Sequence, residues 1–115
     1  ATDWQGNTFS PKFKQGVIGF SIDEFIRKFS PKFPTHIKID VDGIESKIVE
    51  GGRETIADPR LKSVFVELDE NQPELIRPVV SAIEQAGLKL CAKKHAPMFD
   101  NSEFASVYNH IFYRS

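Results

Sequence analysis

Two runs rich in β-branched residues, 36–41 and 61–68, flank a segment with helical character, and this alternation limits the fold more than any other feature. The first run, His36-Ile37-Lys38-Ile39-Asp40-Val41, stops at Asp42-Gly43 and reads as a strand. Residues 45–49 are helical, Gly51-Gly52 interrupts them, a further turn runs to Ala57, and Asp58-Pro59 breaks the chain. The second run contains Val64-Phe65-Val66. It leads to a helix that Asn71 can cap, with Pro73 in its first turn, carried by Val79, Val80, Ile83 and Ala86 to a stop at Gly87. Pro78 would start the regular helix late or bend it. A third strand is expected at 88–92, a loop at 93–103, and a final strand at 105–113. Only a loop precedes that last strand, so it should pair antiparallel to a neighbour. Continuous apolar strands alternating with helices define an α/β sheet with three parallel strands plus an antiparallel last strand, flanked by helices.

Upstream, residues 1–16 form an irregular arm or loop, and 17–20 read as a short strand. Ser21-Ile22-Asp23-Glu24 has the form of a capping box. Ile22, Phe25, Ile26 and Phe29 follow at spacings of three and four, which predicts a helix over 22–29, ended by Pro31 and Pro34. Phe9, Phe13, Phe20, Phe25, Phe29 and Phe33 crowd the first third of the chain, which points to a partly buried amino-terminal segment.

A length of 115 residues allows one domain with a modest core. The net charge of −1 argues against nucleic acid or an anionic membrane as partner, since either would call for a basic excess. There is no apolar run of about 18 residues to span a membrane. Cys91 is the only cysteine, so no internal disulfide can form; this suits a reducing, cytoplasmic setting, and Cys91 reads as a small buried hydrophobe. The chain begins at Ala1 without a leader or a methionine, which implies either processing or a piece of something longer.

Ligands of open α/β sheets bind outside the carboxyl ends of the strands. Asp40, Asp42 and Glu45 stand there after the first strand, and Glu67, Asp69 and Glu70 stand at the same end of the next. Carboxylates so placed can accept a proton from a hydroxyl, bind an amine, or hold a divalent cation. Lys38 lies two residues before Asp40, hence on the same face, and needs a carboxylate partner such as Glu67. The same Asp-x-Asp-Gly also suits a plain turn, with Asp42 capping the next helix and Gly43 relaxing the backbone. His36, His95 and His110 have no metal-ligand spacing, so no metal site is read. Gly51-Gly52 lacks the lysine and hydroxyl of a phosphate loop.

Three families place Asp-x-Asp-Gly after a strand. Haloacid-dehalogenase-like phosphatases follow it with threonine, where this chain has Ile44, and Asp-x-Asp glycosyltransferases share only the short motif. The longer match is Ile37-Lys38-Ile39-Asp40-Val41-Asp42-Gly43-Ile44-Glu45, then Ile48-Val49-Glu50-Gly51-Gly52, then Leu61-Lys62-Ser63-Val64-Phe65-Val66-Glu67-Leu68. Together with Phe20-Ser21-Ile22-Asp23-Glu24-Phe25 upstream, it resembles the FkbM-type methyltransferases. Their pattern is approximately Lys-Ile-Asp-Val-Glu-Gly-x-Glu, a helix ending in Gly-Ala and a strand ending in Val-Glu. This chain departs at Asp42, where glutamate is commoner, and at Gly52, where alanine is.

The resemblance implies methyl transfer from S-adenosylmethionine to a hydroxyl of a sugar or small molecule. It implies a partial Rossmann-like sheet, with residues 17–115 as the carboxyl-terminal half of a class I methyltransferase domain. Asp40, Asp42 and Glu45 would then be catalytic, and Asp40, Val41 and Asp42 would border the cofactor. The family's Gly-rich cofactor loop lies upstream of the matched motif, so this chain looks like a fragment that binds the donor weakly and is inactive alone. Its motif-bearing strand would be an exposed edge, a template for pairing with another copy. The alternative from a different class is a non-enzymatic α/β module that binds a partner through that edge or the acidic rim.

Overall fold

The computed structural model describes residues 15–95 and 105–115. Helix α1, Ile22–Phe29, starts where Ser21 Oγ accepts from the Glu24 backbone N–H at 3.2 Å and donates to Glu24 Oε1 at 3.0 Å. Strand β1, His36–Ile39, follows, then helices α2, Glu45–Gly51, and α3, Arg53–Ala57. Strand β2, Ser63–Asp69, leads into helix α4, Pro73–Gln85, and strands β3, Lys89–Lys94, and β4, Val107–Tyr113, complete the order.

The four strands form one mixed sheet in the order β1-β2-β4-β3. β1 and β2 pair in parallel, with Ile37 opposite Val64 and Ile39 opposite Val66. β4 enters between β2 and β3 and pairs antiparallel with both. Among the described residues parallel pairing is therefore confined to β1 and β2, and β3, which runs in the same direction as both, joins the sheet only through the antiparallel β4. The physical reason is local: the long β4 occupies the edge of β2 that β3 would need. β1 ends the sheet on one side.

Alternation along the strands separates two faces. Ile39, Val64, Val66, Leu68 and Phe112 join Val49, Ile56, Val79 and Ile83 in a core beneath α2, α3 and α4. The opposite face carries Lys38, Phe65, Glu67 and Asp69, each partly or fully exposed. At the far end of the molecule, Arg114 Nε donates to the Leu61 carbonyl and Nη1 to the Ala86 carbonyl, both at 2.9 Å, and Nη2 donates to the carbonyl of Ile56. One guanidinium thus satisfies carbonyls at the ends of α3 and α4 and at the entry to β2.

Several expectations are corrected. Residues 17–20 form no strand, and Val17 and Ile18 are 85% and 86% exposed. Helix α1 buries none of its residues; Phe20, Phe25 and Phe29 pack on one another, with centroids 5.3 and 5.0 Å apart, and stay exposed. Phe33 alone of these four packs against the core. Asn71 does not cap α4: Gln72 is the capping residue and makes no side-chain bond there, and the helix runs from Pro73 straight through Pro78. β3 extends through Lys93 and Lys94, residues expected in a loop. Cys91 is exposed, as are Lys89 and Leu90 beside it, because β3 is the outer strand and little covers it; its pairing with β4 is also irregular between Leu90 and Ala92. Phe9 and Phe13 fall outside the described residues, as does most of the loop expected at 93–103.

Candidate functional site

The register of the parallel pair creates the site. Ile39 lies opposite Val66, so the next residue on each strand, Asp40 and Glu67, emerges beside its counterpart on the face away from the core. The register brings their carboxyl groups together, and a hydrogen bond between them forms only while the pair holds one proton, since a carboxylate has none to donate. The bond to Asp40 is the main reason Glu67 is pushed up from 4.5 to about 7; burial and the charges of Asp40, Asp42 and Glu45 add to it. Asp40 itself is exposed and Glu67 half-buried, so the pair is open to solvent on the Asp40 side.

Beyond β1 the backbone turns at Gly43, whose φ of 88° lies in the left-handed region that favours glycine. Glu45, 8% exposed, folds back so that its Oε1 accepts from the Gly43 N–H at 3.2 Å. This carboxylate sits in the first turn of α2, where the orphan N–H groups favour a negative charge. Asp42 is exposed and does not cap α2; Ile44 occupies that position without a side-chain bond. Val41 directs its side chain against the core cluster. Of the cofactor-facing residues expected from sequence, it therefore offers a ligand its backbone only.

The structure thus gathers Asp40, Asp42 and Glu45 around Glu67, and disperses the other candidates. Lys38 does not pair with Glu67: its Nζ lies over the Phe65 ring, 5.3 Å from the centroid, where a cation is attracted to the π face. Asp69 is taken up by the β2–α4 turn, accepting from Ser106 Oγ at 2.6 Å and the Asn71 N–H at 3.0 Å. The Ser106 bond above all holds its carboxyl below the usual range. Glu70 pairs with Lys93 at 2.7 Å. His36 Nδ1 meets Ser63 Oγ at 2.5 Å, Cys91 Sγ reaches the Lys89 carbonyl, and His95 Nδ1 lies 2.9 Å from the Val107 carbonyl. His110 is buried, and burial pushes its imidazole below the ordinary value. Among the described residues no group of three His, Cys, Asp or Glu side chains could hold a metal ion.

Sequence reasoning placed Glu67 at the rim as a partner for Lys38 and not for Asp40. The signal was present in the two strand ends, since equal steps past Ile39 and Val66 lead to facing carboxyls once the parallel register is known. A groove of about 780 Å³ lies elsewhere, between α4 and the β3–β4 pair, lined by Ile76, Arg77, Lys93 and His110 among others.

A parallel β-α-β unit with acids at its carboxyl rim, extended by an antiparallel strand, fits a methyltransferase-like fold. The family model described as "Methyltransferase FkbM domain" matches residues 4–92. The chain belongs to this family. No curated protein matches it, and no solved structure does.

Proposed function

We propose that this chain supplies the acceptor-side wall of an S-adenosylmethionine-dependent O-methyltransferase acting on a hydroxyl of a sugar or other small molecule. The observation that supports this most strongly is that the family match spans the segment in which Asp40, Asp42, Glu45 and Glu67 converge. The exposed pair Asp40 and Asp42 suits the donor, whose sulfonium and ammonium groups are cations that exposed carboxylates attract. When bound, the donor supplies an electrophilic methyl group. Asp40 and Asp42, exposed at the strand end, orient the acceptor hydroxyl and the cationic end of the donor, and Glu45 holds the Gly43 turn that presents them. The rim formed here is one wall; the adenosine portion of the donor calls for contacts beyond it.

A donor-dependent methylation screen on hydroxylated acceptors, run on the full-length protein, tests this reading. Asp40→Asn and Asp42→Asn should each lower turnover by about 10²-fold, the usual worth of a positioned acid–base group. Near-normal rates in both variants would sink the assignment.

A further inference from the structure

Resting on the methyl-transfer reading, we propose that Asp40 and Glu67 work as a single proton acceptor: Asp40 meets the acceptor hydroxyl, and Glu67 is the positioning residue that holds the released proton with it. Three observations converge on the pair. The parallel register, which sets Ile39 opposite Val66, makes the next residues, Asp40 just past β1 and Glu67 near the end of β2, neighbours on one face. Asp40 is the acid that acts most strongly on Glu67, and only Asp40 of the two is exposed. Finally, three other acids of the rim are engaged differently, Glu45 with the Gly43 N–H, Asp69 with Ser106 and Glu70 with Lys93, while Asp42 stands exposed.

A lone exposed carboxylate is a weak base, because its proton affinity is far below that of the alkoxide a hydroxyl would leave. Two ionised carboxylates in contact repel, and capture of one proton between them removes that repulsion and forms a hydrogen bond. During transfer, the hydroxyl oxygen forms the new O–C bond and the donor's C–S bond breaks with its electron pair left on sulfur. The O–H proton passes to Asp40 and is shared with Glu67. Asp42 and Glu45, the other acids acting on Glu67, strengthen the pull on that proton. Water then takes the proton from the open Asp40 side.

The test has two arms. In the full chain, carboxyl-carbon NMR titration should show Glu67 changing protonation near pH 7, and moving toward 4.5 in Asp40→Asn, where an uncharged amide that can donate to ionised Glu67 replaces the carboxylate. In the full-length protein, the methylation rate should rise with pH through the same region. Glu67→Gln should lower that rate about tenfold or more and move the rising limb to acid pH, while the donor's Kd stays unchanged. A purely structural Glu67 would alter the rate without moving the limb. Methyl transfer with Glu67 titrating as an ordinary carboxyl would overturn this inference alone. A shared proton seen by NMR in a protein that transfers no methyl would overturn the methyl-transfer reading and the catalytic role with it.

Discussion

Gly51 and Gly52 show how a motif can be written by packing and not by chemistry. A Cβ on Gly51 would sit 2.9 Å from Ser21 Cβ, and one on Gly52 would sit 3.0 Å from Ile22 Cδ1. The glycine pair lets the start of α1 press onto the junction of α2 and α3. The two positions differ in degree, because the 2.9 Å contact at Gly51 is to a Cβ fixed to the backbone, whereas at Gly52 the nearest atom ends a flexible side chain and the fixed Ile22 Cβ stands back at 3.3 Å. Gly51→Ala should therefore cost about 1–3 kcal/mol of unfolding free energy in a urea titration, and Gly52→Ala clearly less. Equal losses at both positions would contradict this reading. The resembled family pattern, which prefers alanine at the second position, follows the same asymmetry.

The same approach explains Asp23 at the level of elements. Its carboxylate leaves α1 and accepts from the Glu54 and Thr55 backbone N–H groups at 3.0 and 2.9 Å and from Thr55 Oγ1 at 2.7 Å. The first turn of α3, too short to be stable alone, is thus capped by a residue thirty positions earlier in the chain. Asp23→Ala should destabilise by about 1–2 kcal/mol, read from the shift of the thermal midpoint, with Asp23→Asn between the two. Loss of no more than a surface substitution would show the cap to be idle. The helices themselves were legible, since α1 has the spacing and the Ser21 cap that its sequence advertises, and α2 and α3 part at the glycines. What could not be read was which distant residue closes each end, because Asp23 and Arg114 act across the fold and leave no local period. Equally hidden were the exposure of Cys91, which follows from the place of β3 at the edge of the sheet, and the exposed aromatic side of α1, whose periodicity records amphipathicity and not what covers it.

For the whole molecule, the acidic rim could be located from the strand ends, but its electrostatic state follows from the register and the sheet order, which place Glu67 with Asp40 and send His110 into the interior. These two groups act on stability in opposite directions. Glu67 is raised from 4.5 to about 7, chiefly by its bond to Asp40. The unfolded chain ionises first, so the stability this group contributes is full below 4.5 and is lost as pH rises to about 7. His110 is lowered from 6.5, chiefly by burial, so its contribution is full above 6.5 and declines as pH falls further. Asp69, lowered by Ser106, adds a loss only below 3.8. The neutral amide of Glu67→Gln can still donate to Asp40 and cannot ionise. The variant should match the wild type near pH 4.5 and exceed it near pH 8 by on the order of 1 kcal/mol, a figure reduced for solvent screening at a partly open site. Thermal midpoints of both proteins, measured every half unit across this range, decide the matter. The gap between the two curves should open between 4.5 and 7 and then stay constant, while the decline below 6.5 caused by His110 appears in both. A gap that does not vary with pH would mean that Asp40 and Glu67 share no proton in the folded chain.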